Sequence, residues 1–226
     1  MNETGIRFAW GMRGLSAALA DAGTVVIVDV LSFSTCVDVA VSRGAQILPA
    51  AIPGQAATIA GRRGAGRYSL SPESFLSCDA GERIVLPSPN GGALASACGG
   101  KTTYTSCLRN ATAVARAAAR QAAPILVVAA GERRPDGSLR PALEDLLGAG
   151  AVIRHLPGRH SPDTAAAAGA FDALRHSLAD ALRRCASGQE LVARGYARDV
   201  AIAAELDVSQ AVPQLQHDAF VGARSM

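Results

Sequence analysis

The chain has 226 residues, 49% of them hydrophobic and 18% charged, which is enough apolar material for one α/β domain or two small lobes. No apolar run approaches the ~20 residues of a membrane-spanning helix, and MNETGIRFAWGMRG lacks the basic-then-apolar pattern of a secretory signal, so a cytoplasmic protein with no membrane partner is expected. The net charge of +3 comes from scattered arginines, with Lys101 the one lysine, which argues against a nucleic-acid surface and leaves small anions as partners.

In chain order, β-branched apolar runs predict strands over 6–10, 24–30, 45–50, 83–87, 102–105 and 124–130. Ala-rich helical patterns between them predict helices over 33–42, 91–98, 110–121 and 142–155. Strand, polar turn and helix repeat in that order, the signature of an α/β fold with parallel strands and crossover helices. The segment 53–81, with GRRGAGRYSLSPESF, keeps no period and reads as a long loop, a type that often carries function. After PGRHSPD a long helix is expected from Ser161 or Pro162 to about Ser187, followed by helical stretches over 190–194 and 198–205.

The five cysteines, Cys36, Cys78, Cys98, Cys107 and Cys185, form no CxxC pair and have no histidine at zinc spacing, so free buried thiols are expected. A thiol enzyme built on Cys36 or Cys107 is a weaker reading of two cysteines near helix starts.

Four polar turns follow strands, where parallel sheets place their ligands. In DVLSFST, Asp29 ends a β-branched run, and a carboxylate there is costly unless paired, hydrogen-bonded or metal-bound. Ser32, Ser34 and Thr35 stand at the following helix start, as caps or as donors to an anion. SPNGG offers Ser88, the Asn90 amide, and Gly91 and Gly92 for close backbone approach. TSCLRN ends at Asn110, which suits a helix cap. The fourth turn carries Arg133, Arg134 and Arg140, then Glu144 and Asp145 in the first turn of a helix, where their charge suits the dipole. Together they describe a crevice with carboxylates for a hard cation, hydroxyls and amides for phosphate oxygens, and arginines for a second anion.

The ordered pieces VVIVDVLSFST, GAQILPA, LSPESF, SPNGGALA, SCLRNATAVA, VVAAGE with LEDLLGAG, and RDVAIAAELDVSQAVP resemble the 2-phosphosulfolactate phosphatase (ComB) family of coenzyme M biosynthesis. The resemblance runs from Val25 to Pro213 and implies a single three-layer αβα domain over 1–226 with a largely parallel or mixed central sheet. It implies an Mg2+-dependent phosphatase that converts 2-phosphosulfolactate to sulfolactate and phosphate. Its metal ligands would be Asp29 with Glu144 or Asp145, its catalytic set those three with Asn90. Its phosphate and substrate contacts would be Ser32, Ser34, Thr35, Ser88, Gly91 and Asn110, with Arg133 and Arg140 as added charge. The chain departs from the family pattern at Ser32, where an arginine is usual, at Ser88 and Pro89, where two threonines stand, and at Leu70, where an asparagine precedes Ser-Pro. Those departures keep a second reading in play, a phosphate- or sulfonate-binding module of the same fold with impaired catalysis, and a different phospho-acid substrate. A haloacid-dehalogenase-type phosphatase is disfavoured, because its second aspartate falls at Leu31. A homodimer is left open.

Overall fold

The computed structural model describes residues 5–50 and 57–223. In chain order they form β1 (Ile6–Trp10), α1 (Gly11–Ala18), β2 (Thr24–Val28), α2 (Phe33–Ser42), β3 (Gln46–Leu48), β4 (Thr58–Ile59), β5 (Arg83–Val85), α3 (Gly91–Ala97), β6 (Thr102–Ser106) and α4 (Ala111–Ala118). Then follow β7 (Ile125–Ala129), β8 (Glu132–Arg133), β9 (Leu139–Arg140), α5 (Leu143–His155), α6 (Pro162–Leu174), α7 (Leu178–Arg184), α8 (Ala186–Ala193), α9 (Ala197–Ala203), β10 (Pro213–Gln216) and β11 (Ala219–Gly222).

The central sheet runs β1-β7-β2-β6-β10-β11-β3-β5-β4. Its first four strands are mutually parallel, as are β3, β5 and β4. The antiparallel β10–β11 hairpin joins the two blocks, pairing Gln214 with Tyr104 of β6 and Phe220 with Ile47 of β3. Three antiparallel steps separate the blocks, so their strands run in opposite directions. The expected mixed, mostly parallel sheet is therefore present, and the mixing comes from a C-terminal hairpin inserted at its middle.

Strand alternation builds two cores. Val26 and Val28 of β2, with Ile125 and Val127 of β7, face a layer containing α4, α5 and α6. Val25 and Ile27, with Leu126 and Val128, face α1, α2 and α3. A strand buried on both faces favours apolar side chains on both, which is why VVIV of β2 reads as a continuous run rather than an alternating one. Each fully buried Val or Ile there contributes about 1.5–3 kcal/mol. Helices thus cover both faces, giving the three-layer αβα architecture.

Two expectations need correction. The single helix over 161–187 is instead α6, α7 and the start of α8, broken at Arg175–Ser177 and again at Cys185, whose extended backbone ends α7 while its Sγ accepts the Gly188 N–H that opens α8. The 53–81 segment is not all loop: it holds β4 and a single 3-10 turn at Pro72–Phe75, while residues 53–56 lie outside the described residues. All five cysteines are free and buried. No helix of the described residues is long and apolar enough to cross a membrane.

Candidate active site

Asp29 leaves the end of β2 into the interior and is 4% exposed. Its Oδ1 accepts the Phe33 N–H at 3.3 Å and its Oδ2 the Gly91 N–H at 2.7 Å, so one carboxylate joins the starts of α2 and α3. A Cβ on residue 91 would lie 2.6 Å from Phe33 and 2.8 Å from Asp29 Oδ2, so only glycine lets the main chain come this near. Burial pushes the Asp29 carboxyl from 3.8 up to about 6, against the pull of the two amides and with added repulsion from Glu132 and Glu144.

Three more carboxyls gather behind and beside it. Asp145, in the first turn of α5, accepts Val30 N–H at 2.7 Å and Gly131 N–H at 2.8 Å, clamping the turns after β2 and β7 together. Its carboxyl is raised by burial and by the neighbouring Asp29 and Glu144 charges. Glu144 is 2% exposed and its Oε2 has no hydrogen-bond partner. Glu132, on β8, accepts from Asn90 Nδ2 at 3.2 Å, and its half-buried carboxyl is raised by burial. Cys185 lies against Glu144, and burial followed by that charge pushes its thiol up to about 12.

The remaining expected residues divide between a cavity and the wall behind it. A cavity of about 200 Å3 is lined by Asp29, Ser32, Ser88, Asn90 and Glu132, together with Arg63, Ser187, Glu190 and Arg194. Asn90 is held on both amide atoms, donating to Glu132 and accepting the Arg133 N–H at 3.2 Å. Ser34 and Thr35 are fully buried: Ser34 Oγ accepts the Asp29 N–H at 2.9 Å and pairs with Thr105 at 2.6 Å, and Thr35 donates to Val30 O at 2.7 Å. Asn110 is likewise enclosed, its Oδ1 accepting the Cys107 N–H at 2.9 Å and its Nδ2 donating to Ala211 O. These three brace the turns. Arg133 is exposed and lines a second, mostly apolar cavity of about 650 Å3 that shares Pro89 and Asn90. Arg140 donates to Ser187 Oγ at 2.9 Å. The larger cavity is lined by one carboxylate, Asp136, and by neither Asp29 nor Glu132, so the smaller one is the candidate site.

At Ser32, the helix-start position of α2, the hydroxyl makes no cap; it accepts from Arg63 Nη2 at 2.8 Å. The Leu31–Ser32 peptide is cis. The guanidinium that meets Ser32 comes from the GRRGAGR segment, not from the fourth turn, where Arg133 and Arg140 were expected to add charge. The signal for it was present only as an unpatterned, Arg-rich loop. Glu132 was also missed as a site residue, although it closes the VVAAGE piece. The thiol-enzyme reading fails: Cys36 and Cys107 are fully buried and burial pushes both thiols upward, away from thiolate.

Comparison with known proteins shows the family. A probable 2-phosphosulfolactate phosphatase of Gloeobacter violaceus is 36% identical over 73 residues, a stretch spanning 32% of this chain and 31% of that protein's length. The profile of 2-phosphosulpholactate phosphatases matches residues 14–218. With the motif turns gathered around one acidic cavity and the profile covering most of its length, the chain belongs to the 2-phosphosulpholactate phosphatase family.

Proposed function

We propose that the chain is an Mg2+-dependent phosphoric monoester hydrolase that converts 2-phosphosulfolactate to sulfolactate and phosphate, a reaction of the coenzyme M type. The observation that carries the metal is Glu144 Oε2, a carboxylate oxygen buried without a partner beside Asp29, Glu132 and Asp145. Packing like charges in the interior is unfavourable unless a cation or protons compensate. Mg2+ takes one or two protein carboxylates and keeps several waters, so it needs no full protein cage. Asp29 and Glu144 would hold it, with Asp145 bracing the turns behind them. Bound there, Mg2+ would neutralise phosphoryl charge and lower the pKa of a coordinated water.

The chain's own groups do the rest. Ser32, Ser88 and the Asn90 amide face the cavity and would donate to phosphoryl oxygens, while Glu132 orients Asn90 by accepting from its Nδ2. The cavity of about 200 Å3 has room for a three-carbon phospho-acid. Purified protein should release phosphate from 2-phosphosulfolactate with Mg2+ and stop on chelation. Absence of release across a panel of phospho-acids including that compound would sink the reading.

The inward commitment of Ser34 and Thr35 favours a second reading, a binding module whose phosphoryl contacts are too few for turnover. Calorimetric binding of 2-phosphosulfolactate without phosphate release would select it.

A further inference from the structure

Besides the carboxylates of Asp29, Glu132 and Glu190, two arginines, Arg63 and Arg194, line the small cavity. Arg63 is held on three sides. Its Nη1 is ion-paired with Asp199, a carboxylate with no exposed side-chain surface, its Nη2 donates to Ser32 Oγ at 2.8 Å, and its guanidinium lies 5.0 Å from the centre of the Tyr196 ring. Asp199 is fixed in turn, accepting from Ser71 Oγ at 2.6 Å and from Glu73 N–H at 3.2 Å. An arginine carries five N–H donors, so this arrangement leaves three to spare on a side chain that is only 11% exposed. Arg194 shares the same ring, 5.8 Å from its centre, and lines the same cavity. Among the described residues Arg194 has no carboxylate partner. Two guanidiniums drawn to one aromatic ring repel each other, and only that of Arg63 is neutralised by a paired carboxylate.

We infer that Arg63 and Arg194, gathered on Tyr196, form the subsite that receives a second oxyanion of the substrate, a carboxylate or sulfonate remote from the phosphoryl group, with Asp199 as the positioning residue. The subsite rests on the phosphatase reading for the identity of the first anion. The charge pattern supports it. Asp29, Glu132 and Glu190 line the cavity as well, so an acid group entering without a cation is repelled everywhere except at the two arginines. A guanidinium clamped by Asp199 and Ser32 offers its remaining donors already oriented, so less freedom is lost on binding than with a mobile arginine.

Three phosphate esters on one three-carbon frame test this in full-length protein with Mg2+. Glycerol 2-phosphate carries no acid group, 2-phosphoglycerate adds a carboxylate, and 2-phosphosulfolactate adds a sulfonate as well. The ratio of kcat/KM for each acid-bearing ester to that for glycerol 2-phosphate should fall about tenfold or more in Arg63→Gln and in Arg194→Gln, mainly through KM, and Arg63→Lys should recover part of it. Loss concentrated on 2-phosphosulfolactate assigns a sulfonate to the subsite; equal loss on both acids assigns the carboxylate. Unchanged ratios in both variants overturn the inference. Arg194 is exposed, so its variant reports even if Arg63→Gln folds poorly. If the wild-type protein hydrolyses none of the esters, the phosphatase reading fails on its own. Calorimetric titration with glycerate and sulfolactate then decides the subsite: acid binding that Arg194→Gln abolishes upholds it, and no binding by the wild type overturns it.

Discussion

Asp29 is where structure and chemistry pull hardest against each other. In the unfolded chain its carboxyl ionises near 3.8, and in the fold, burial holds it protonated to about 6. Its contribution to stability is therefore complete below pH 4 and is lost as the pH rises to about 6, an interval worth about 3 kcal/mol. Asp145 and Glu132 are raised too and act in the same direction. The metal-free protein should accordingly melt at lower temperature at pH 8 than at pH 5, and Mg2+ should restore the difference at pH 8. Thermal unfolding at the two pH values with and without the ion checks this; a metal-free melting point that climbs with pH would contradict it. Asp29→Asn removes the titrating charge. It should lower Mg2+-dependent phosphate release about a hundredfold or more and flatten the fall in metal-free melting point between pH 5 and pH 8, while costing stability at pH 5, because an amide nitrogen cannot accept the second of the Phe33 and Gly91 N–H groups. A variant that keeps Mg2+-dependent activity would mean that the carboxylate is structural only.

Breaks between helices matter as much as the helices. The Ala-rich stretch after Ser161 has the composition of one long helix, but α7 stops at Cys185 and α8 turns back against it. Cys185 makes the turn and Gly188 lets α8 come close to α7: a Cβ there would lie 1.8 Å from Leu182 O. That fold-back carries Ser187, Glu190, Leu191 and Arg194 to the cavity, so a straight helix would leave one wall missing. Gly188→Ala should cost about 1–3 kcal/mol and raise KM for the phospho-acid more than it lowers kcat, measurable by denaturant unfolding and steady-state kinetics. Wild-type values for both would show that α8 can shift without disturbing the site. The helices α2 to α5 were legible because each follows a polar turn and keeps an apolar face. Helix α1 was not, because GMRGLSAA has two glycines in eight residues and begins at Gly11 with φ +56.

For the molecule as a whole, the β10–β11 hairpin holds the two parallel blocks in one sheet. Removing the chain from Pro213 onward leaves β6 and β3 as bare edges on the two halves, and the truncated protein should lose its cooperative unfolding transition and bind an exposed-apolar-surface dye. Retention of a single sharp transition would show that packing of the helical layers suffices. This hairpin escaped a reading from sequence. PQLQ and AFVG are four residues each, the first opens with proline, and the turn between them places His217 at φ +58 where glycine or asparagine is the usual signal.

Local pattern carried the α/β class, six strands, the four polar turns and the suspicion attached to Asp29, because period, turn chemistry and the cost of a charge in an apolar run act over a few neighbouring residues. The partners of those turns are a different matter. Asp145 meets Val30 across 115 positions, Arg63 meets Asp199 across 136, and Gly91 reaches Asp29 across 62. Only folding decides such contacts, since they arise from where a sheet sets its strand ends and a loop closes over them. It decided that Ser34, Thr35 and Asn110 turn inward while Ser32, Ser88 and Asn90 face the cavity, and that the guanidinium beside Ser32 is Arg63.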